Sequence, residues 1–121
     1  MSCKVAQSGA ENSALQSANY HIIQLNQQDV SDGDLEMNII AKESKIYGFS
    51  GCNTYHFNYQ LKDDKLDMGD GISTKKYCEG QMDLENLFFE MTSQIDHFEQ
   101  EKEGIIFKNQ EGEIIIKALK D

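Results

Sequence analysis

Four large apolar residues alternate with polar ones through Tyr55-His56-Phe57-Asn58-Tyr59-Gln60-Leu61. A period of two puts Tyr55, Phe57, Tyr59 and Leu61 on one face of a strand, which must line a half-buried sheet. Shorter runs of the same kind recur at residues 20–25, 35–40, 45–49, 66–68, 97–99, 105–107 and 114–116. Between them stand turn-forming stretches: residues 26–34 with Asp32-Gly33, the Lys62-Asp63-Asp64-Lys65 hairpin turn, and Asn109-Gln110-Glu111-Gly112. One segment has a helical period instead. Leu84, Leu87, Phe88, Met91 and Ile95 form a single apolar stripe, read as core, with Glu79, Asp83 and Glu85 near its N-terminal end, where carboxylates suit the helix dipole. Seven or eight short strands and one helix predict a mostly β (α+β) fold. The expected architecture is an antiparallel meander forming a small barrel-like sheet, with one amphipathic helix inserted before the last strands as a plug or lid.

A length of 121 residues suits one domain. Residues 1–19 are small and polar and read as a flexible leader or tether, with the domain proper at 20–121. The net charge of −10 and the absence of Arg argue against nucleic acid as a partner, because every cation is a Lys and the field repels polyanions. No apolar run approaches the ~20 residues of a membrane span.

At Gly51-Cys52-Asn53-Thr54-Tyr55 the chain resembles the Gly-Cys-Asn-x-Tyr segment of the META/HslJ family of small, largely bacterial envelope proteins, and Thr74-Lys75-Lys76-Tyr77-Cys78 resembles its second signature, Thr-x-x-x-Cys. A helix bearing Glu85 and Phe88 and a C-terminal hairpin follow in the family's order, so the likeness covers roughly residues 20–119. The Trp that often opens the family's first strand is missing, Tyr20 and Ile22 taking its place, and Tyr77 stands where Met commonly precedes the second Cys. The resemblance implies a small barrel-like fold without catalytic activity, in a family associated with the cell envelope and stress tolerance.

Against that background Cys52 and Cys78 are expected to pair as a disulfide in an exported protein, the alternative being two buried thiols in a cytosolic one. Cys3, ahead of the polar leader, resembles the acylated first residue of a bacterial lipoprotein, with an initiator Met where a signal peptide would have been removed. An acyl chain would then supply the only membrane attachment. Gly51, Asn53, Tyr55 and Thr74 are read as structural residues of the motif loops. A metal site built on Cys52, Thr54 and His56, imagined on one side of a strand, lacks the paired spacing of structural zinc sites. Asp67 and Asp70 do not match a calcium loop and read as solvated turn residues. Cys78 with His56 or His97 is the one nucleophile–base pair worth naming, and a disulfide would consume it. Tyr47, Tyr55, Tyr59 and Tyr77 could line a groove, although aromatic strand faces more often pack in a core. The sequence and the resemblance therefore point to a non-enzymatic, monomeric envelope module without cofactor, on the periplasmic side, with a binding or structural role for which the family suggests a link to stress response, its partner an unidentified envelope protein or ligand. A lipocalin-like carrier or a Cys/His enzyme are the alternatives.

Overall fold

A computed structural model describes residues 15–63 and 65–121. Eleven strands and one α-helix are present among them: β1 (Ala18–Leu25), β2 (Gln28–Asp29), β3 (Leu35–Ile40), β4 (Lys45–Ser50), β5 (Thr54–Asn58), β6 (Gln60–Lys62), β7 (Lys65–Asp67), β8 (Ile72–Ser73), α1 (Met82–Thr92), β9 (His97–Gln100), β10 (Gly104–Lys108) and β11 (Ile114–Lys120). The large sheet runs β8-β5-β4-β3-β1-β11-β10-β9, with β2 paired to β1, and its described pairings are antiparallel. The expected mostly-β architecture with a single inserted helix is what the chain adopts. The sheet stays open, however: no ladder joins β8 to β9.

The opening is not at the chain ends. β1 and β11 pair from Tyr20–Lys120 to Leu25–Ile116, which zips the two termini of the fold together. The gap falls where the meander is interrupted by the β6–β7 hairpin and α1. There Leu66 N donates to Asp96 O (2.8 Å), just ahead of β9, and Tyr59 N donates to Ser44 O (2.9 Å), so the hairpin is fastened on both sides. The single strand expected over residues 55–61 is consequently broken at Tyr59, which is buried as the chain leaves the large sheet.

Inward-facing residues from all quarters meet in one core: Tyr20, Ile22 and Leu25 from β1, Met37 from β3, Tyr55 and Phe57 from β5, Phe107 from β10 and Ile116 from β11. Ile22 and Leu25 are three apart, not two. A bulge between Ile22 and Gln24 absorbs the extra residue and turns Leu25 back inward. α1 lies over this interior and inserts Phe88 and Met91, both 2% exposed or less. Phe88 sits 4.8 Å from the Tyr55 ring, centroid to centroid. Leu15 is also in the core and β1 begins at Ala18, so packing starts a few residues ahead of Tyr20. No helix among the described residues is long and apolar enough to cross a membrane.

One side chain ties β1 to β3 and to the loop that follows β2. His21 Nδ1 is 3.2 Å from Glu36 Oε2 and Nε2 is 3.0 Å from Ser31 O. Only an imidazolium has an N–H for each acceptor. The Ser31 carbonyl first, and the Glu36 carboxylate next, raise the His21 pKa above its ordinary 6.5 against partial desolvation, with Asp121 adding attraction. A raised folded pKa means that this stabilisation is complete below the unfolded value and fades as pH climbs through the folded one. Urea unfolding of wild type and His21→Gln between about pH 5.5 and about pH 8.5 should show a stability gap that narrows as pH rises. A gap independent of pH would contradict this account.

Candidate functional site

The two signatures meet at the N-terminal end of α1. Gly51 has φ +105°, a backbone conformation open to Gly and strained for other residues, and it makes the turn between β4 and β5. Cys52 and Asn53 therefore lie in that turn, buried, and strand alternation starts only at Thr54. This corrects the expectation that Cys52, Thr54 and His56 share one strand face: Cys52 points into the protein, whereas Thr54 and His56 are on the outer side of β5.

Asn53 is 1% exposed and uses every direction of its side-chain amide. Its Nδ2 donates to Lys76 O at 3.1 Å and to both Glu85 oxygens, at 3.1 Å (Oε1) and 2.9 Å (Oε2). Its Oδ1 accepts from Thr74 Oγ1 and from Lys76 N, each at 2.7 Å. One carboxamide thus holds a segment on either side of itself: the second signature and the first turn of α1. Glu85, 7% exposed, also accepts from Asn53 N (3.1 Å) and Ser50 Oγ (2.6 Å). Its position in the first helical turn places the carboxylate where the helix dipole favours negative charge.

Around this cluster the fastening is doubled. Thr74 N donates to Thr54 O (3.0 Å) and Thr54 N to Thr74 Oγ1 (3.2 Å). Cys52 and Cys78 are joined in a disulfide with their Cα atoms 5.8 Å apart. Tyr55, beneath, donates its hydroxyl to Glu36 O at 2.8 Å, and burial pushes its phenol pKa well above the ordinary 10.0. Gly48 makes room for that bond, since a Cβ there would stand 2.0 Å from Glu36 O and 3.1 Å from the Tyr55 hydroxyl.

The sequence singles out Gly51, Cys52, Asn53, Tyr55, Thr74 and Cys78, and the structure brings them together. It does not single out Ser50, and it places Glu85 near the helix N-terminus, for the dipole, and on the family's helix, without a partner. The available signal was helical spacing, because Glu85 shares a helix face with Phe88 and Thr92, three and seven residues on, both buried. Cys78 is covalently engaged, which removes the nucleophile of the pair it was considered to form with His56 or His97, and His97 Nδ1 lies 2.9 Å from Asp96 Oδ2. Among the described residues no group of three His, Cys, Asp or Glu side chains is placed to hold a metal ion. The four tyrosines do not form one groove: Tyr55 and Tyr59 are buried, while Tyr47 and Tyr77 are exposed. Cys3 lies outside the described residues.

An open antiparallel β-sheet plugged by one helix, with a Cys–Cys bond and a buried Asn–Glu contact at the plug, defines a small mostly-β domain. The META domain model matches residues 13–121, and the chain belongs to that family. Two solved structures share the fold. An NMR structure of a protein from Burkholderia xenovorans matches with TM-score 0.70 and 19% identity, over 88% of this chain and 83% of that one. A second NMR structure matches with TM-score 0.63 and 18% identity, over 87% and 91%. No curated protein matches the sequence.

Two substitutions separate the parts of the site. Asn53→Ala leaves Glu85 Oε2 and the Lys76 N–H without their partner, Oε1 keeping Asn53 N and Ser50 Oγ, and should cost about 3 kcal/mol or more in urea unfolding. Replacing both cysteines by Ser frees the loop between them and should cost about 3–4 kcal/mol by the loop-entropy argument. A loss below ~1 kcal/mol for Asn53→Ala would show that water replaces its bonds and that the cluster is not a structural hub.

Proposed function

We propose that this chain is a non-enzymatic META-type module of the bacterial cell envelope, held on the periplasmic side by acylation of Cys3 and acting as a monomer with a binding or structural role. The observation that supports this reading most is the Cys52–Cys78 bond, because such bonds persist in oxidising compartments and are rare in reducing ones. It also engages both motif thiols, while Asn53, Thr74 and Glu85 direct their polar atoms at one another and at the backbone. A carrier would need a hollow interior, and here Tyr55, Phe57, Phe88, Met91 and Phe107 occupy that space.

The test uses cells producing the protein from its native gene with its own upstream sequence. Free thiols are alkylated before lysis, and lipid is followed by labelled palmitate. The expected result is Cys52 and Cys78 protected until reductant is added, label in the protein, and loss of both label and membrane fractionation in Cys3→Ala. Alkylation of Cys52 and Cys78 in unreduced cells, or an unlabelled protein in the soluble fraction, would overturn the envelope reading.

A further inference from the structure

The two ends of the disulfide have unlike surroundings. Cys52, 3% exposed, sits in the turn between β4 and β5, whereas Cys78 is half-buried in a stretch where residues 74–77, Glu79 and Gly80 are exposed. Tyr77, next to Cys78, is 78% exposed. Thiol–disulfide exchange is a displacement along the sulfur–sulfur axis, in which the attacking thiolate meets one sulfur on the side away from the other. Attack on Cys78 Sγ therefore comes from the solvent side, with Cys52 Sγ as the leaving group. Attack on Cys52 Sγ would have to come from inside the protein.

The buried leaving group is provided for. Lys76 O lies 3.5 Å from Cys52 Sγ, so an S–H formed there has a backbone acceptor within reach. Nor does the motif come apart, because its hydrogen bonds stop short of Cys78. Asn53 Oδ1 accepts from Lys76 N at 2.7 Å, and Thr74 N donates to Thr54 O at 3.0 Å. On the far side of Cys78, Asn53 Nδ2 donates to Glu85 Oε2 at 2.9 Å and fixes the first turn of α1. Between these anchors lies the short link from Tyr77 to Gly80, into which Gln81 N reaches by donating to Cys78 O at 3.0 Å.

We propose that Cys78 Sγ is an exchange site for a dithiol protein, and that the Cys52–Cys78 bond is opened there with the fold in place. A thiolate of the partner bonds to Cys78 Sγ, and the S–S electron pair leaves on Cys52 Sγ, which takes up a proton. The partner's second thiol, as thiolate, attacks the partner's own sulfur in the mixed disulfide and expels Cys78, which is protonated in turn. Two electrons pass from the dithiol to the two cysteines, and the partner departs as its disulfide. A monothiol fits less well. The turn keeps Cys52 beside Cys78, their Cα atoms 5.8 Å apart, so Cys52 returns on the mixed disulfide at high effective concentration unless a second partner thiol is already at hand. Opening the bond frees the link from Tyr77 to Gly80 and lifts the loop constraint on the unfolded chain. Redox state then sets the stability of the domain and leaves its strand register alone.

The inference rests on the bond and its surroundings, not on where the chain resides, so its test on purified oxidised protein is separate from that of the envelope reading. The full chain, with Cys3→Ser so that the motif sulfurs alone report, is mixed with a thioredoxin whose resolving cysteine is replaced by Ser, and the trapped adduct is mapped by peptide mass. The expected result is an adduct on Cys78 with Cys52 as the free thiol, favoured over the reverse by roughly tenfold or more. In a parallel sample dithiothreitol should reduce the bond without denaturant and lower the urea midpoint, while the His56 and Ile72 amide NMR signals, which report the β5–β8 register, stay in place. An adduct on Cys52, an even split, no adduct, reduction that requires urea, or movement of the His56 and Ile72 amides would each overturn the proposal.

Discussion

The carboxamide of Asn53 sits where three segments that share no ladder must meet: the β4–β5 turn, residues 74–76 and the first turn of α1. Apolar contact alone would leave a short helix free to roll or slide over a sheet, because dispersion and hydrophobic burial are poorly directional. A planar amide with two donors and two acceptors fully engaged is directional. It fixes the azimuth of α1, and with it the aim of Phe88 and Met91 into the interior. The arrangement is stable because each polar atom in it has a partner; a half-satisfied cluster at that depth would be worse than an apolar one.

The open seam of the sheet follows from the same placement. A meander whose first and last strands pair would close if every intervening connection were short. Here the chain leaves β5, folds back through β6 and β7, runs over the top as α1 and returns at β9. Where that detour occurs the ladder cannot continue, and the helix fills the space a strand would have taken. The exposed edges left behind are short. β8 is two residues and β9 four, and the edge of β9 receives Leu66 N through Asp96 O. Short, partly covered edges offer little template for pairing with another chain.

Much of this was legible from residue pattern. Leu35, Met37 and Ile39 alternate as written and are buried as written, and the stripe from Leu84 to Met91 is the inward face of α1. Three kinds of detail were not. The bulge in β1 has no residue signature, since Ile22, Ile23 and Leu25 are all apolar and only the partner strand decides which one is extra. β2 and β8, two residues each, are too short for a period. Glu85 carries a charge, and local propensity assigns charge to solvent; its burial depends on Asn53 and Ser50, which are more than thirty residues away in sequence. The motif residues were visible as a set, but the side chain that joins them to the helix was visible only as an acidic residue of that helix, not as their partner.

The disulfide and the Asn53 cluster fasten the same two segments, yet they are not duplicates. A covalent link acts mainly on the unfolded chain, shrinking the conformations open to the residues between Cys52 and Cys78 and saying little about their final orientation. The hydrogen bonds act only in the folded state, at fixed distances and angles, and vanish once the segments part. The first therefore supplies stability and the second supplies geometry. A domain of about a hundred residues, with a modest core and an open sheet, needs the former to hold its long exposed stretch from Gly69 to Gly80 against its own entropy. It needs the latter so that this stretch returns to one register against β5, with Thr74 opposite Thr54 and Ile72 opposite His56. The buried polar contact and the register of β8 against β5 are thus two results of one constraint, set by where Asn53 holds the second signature.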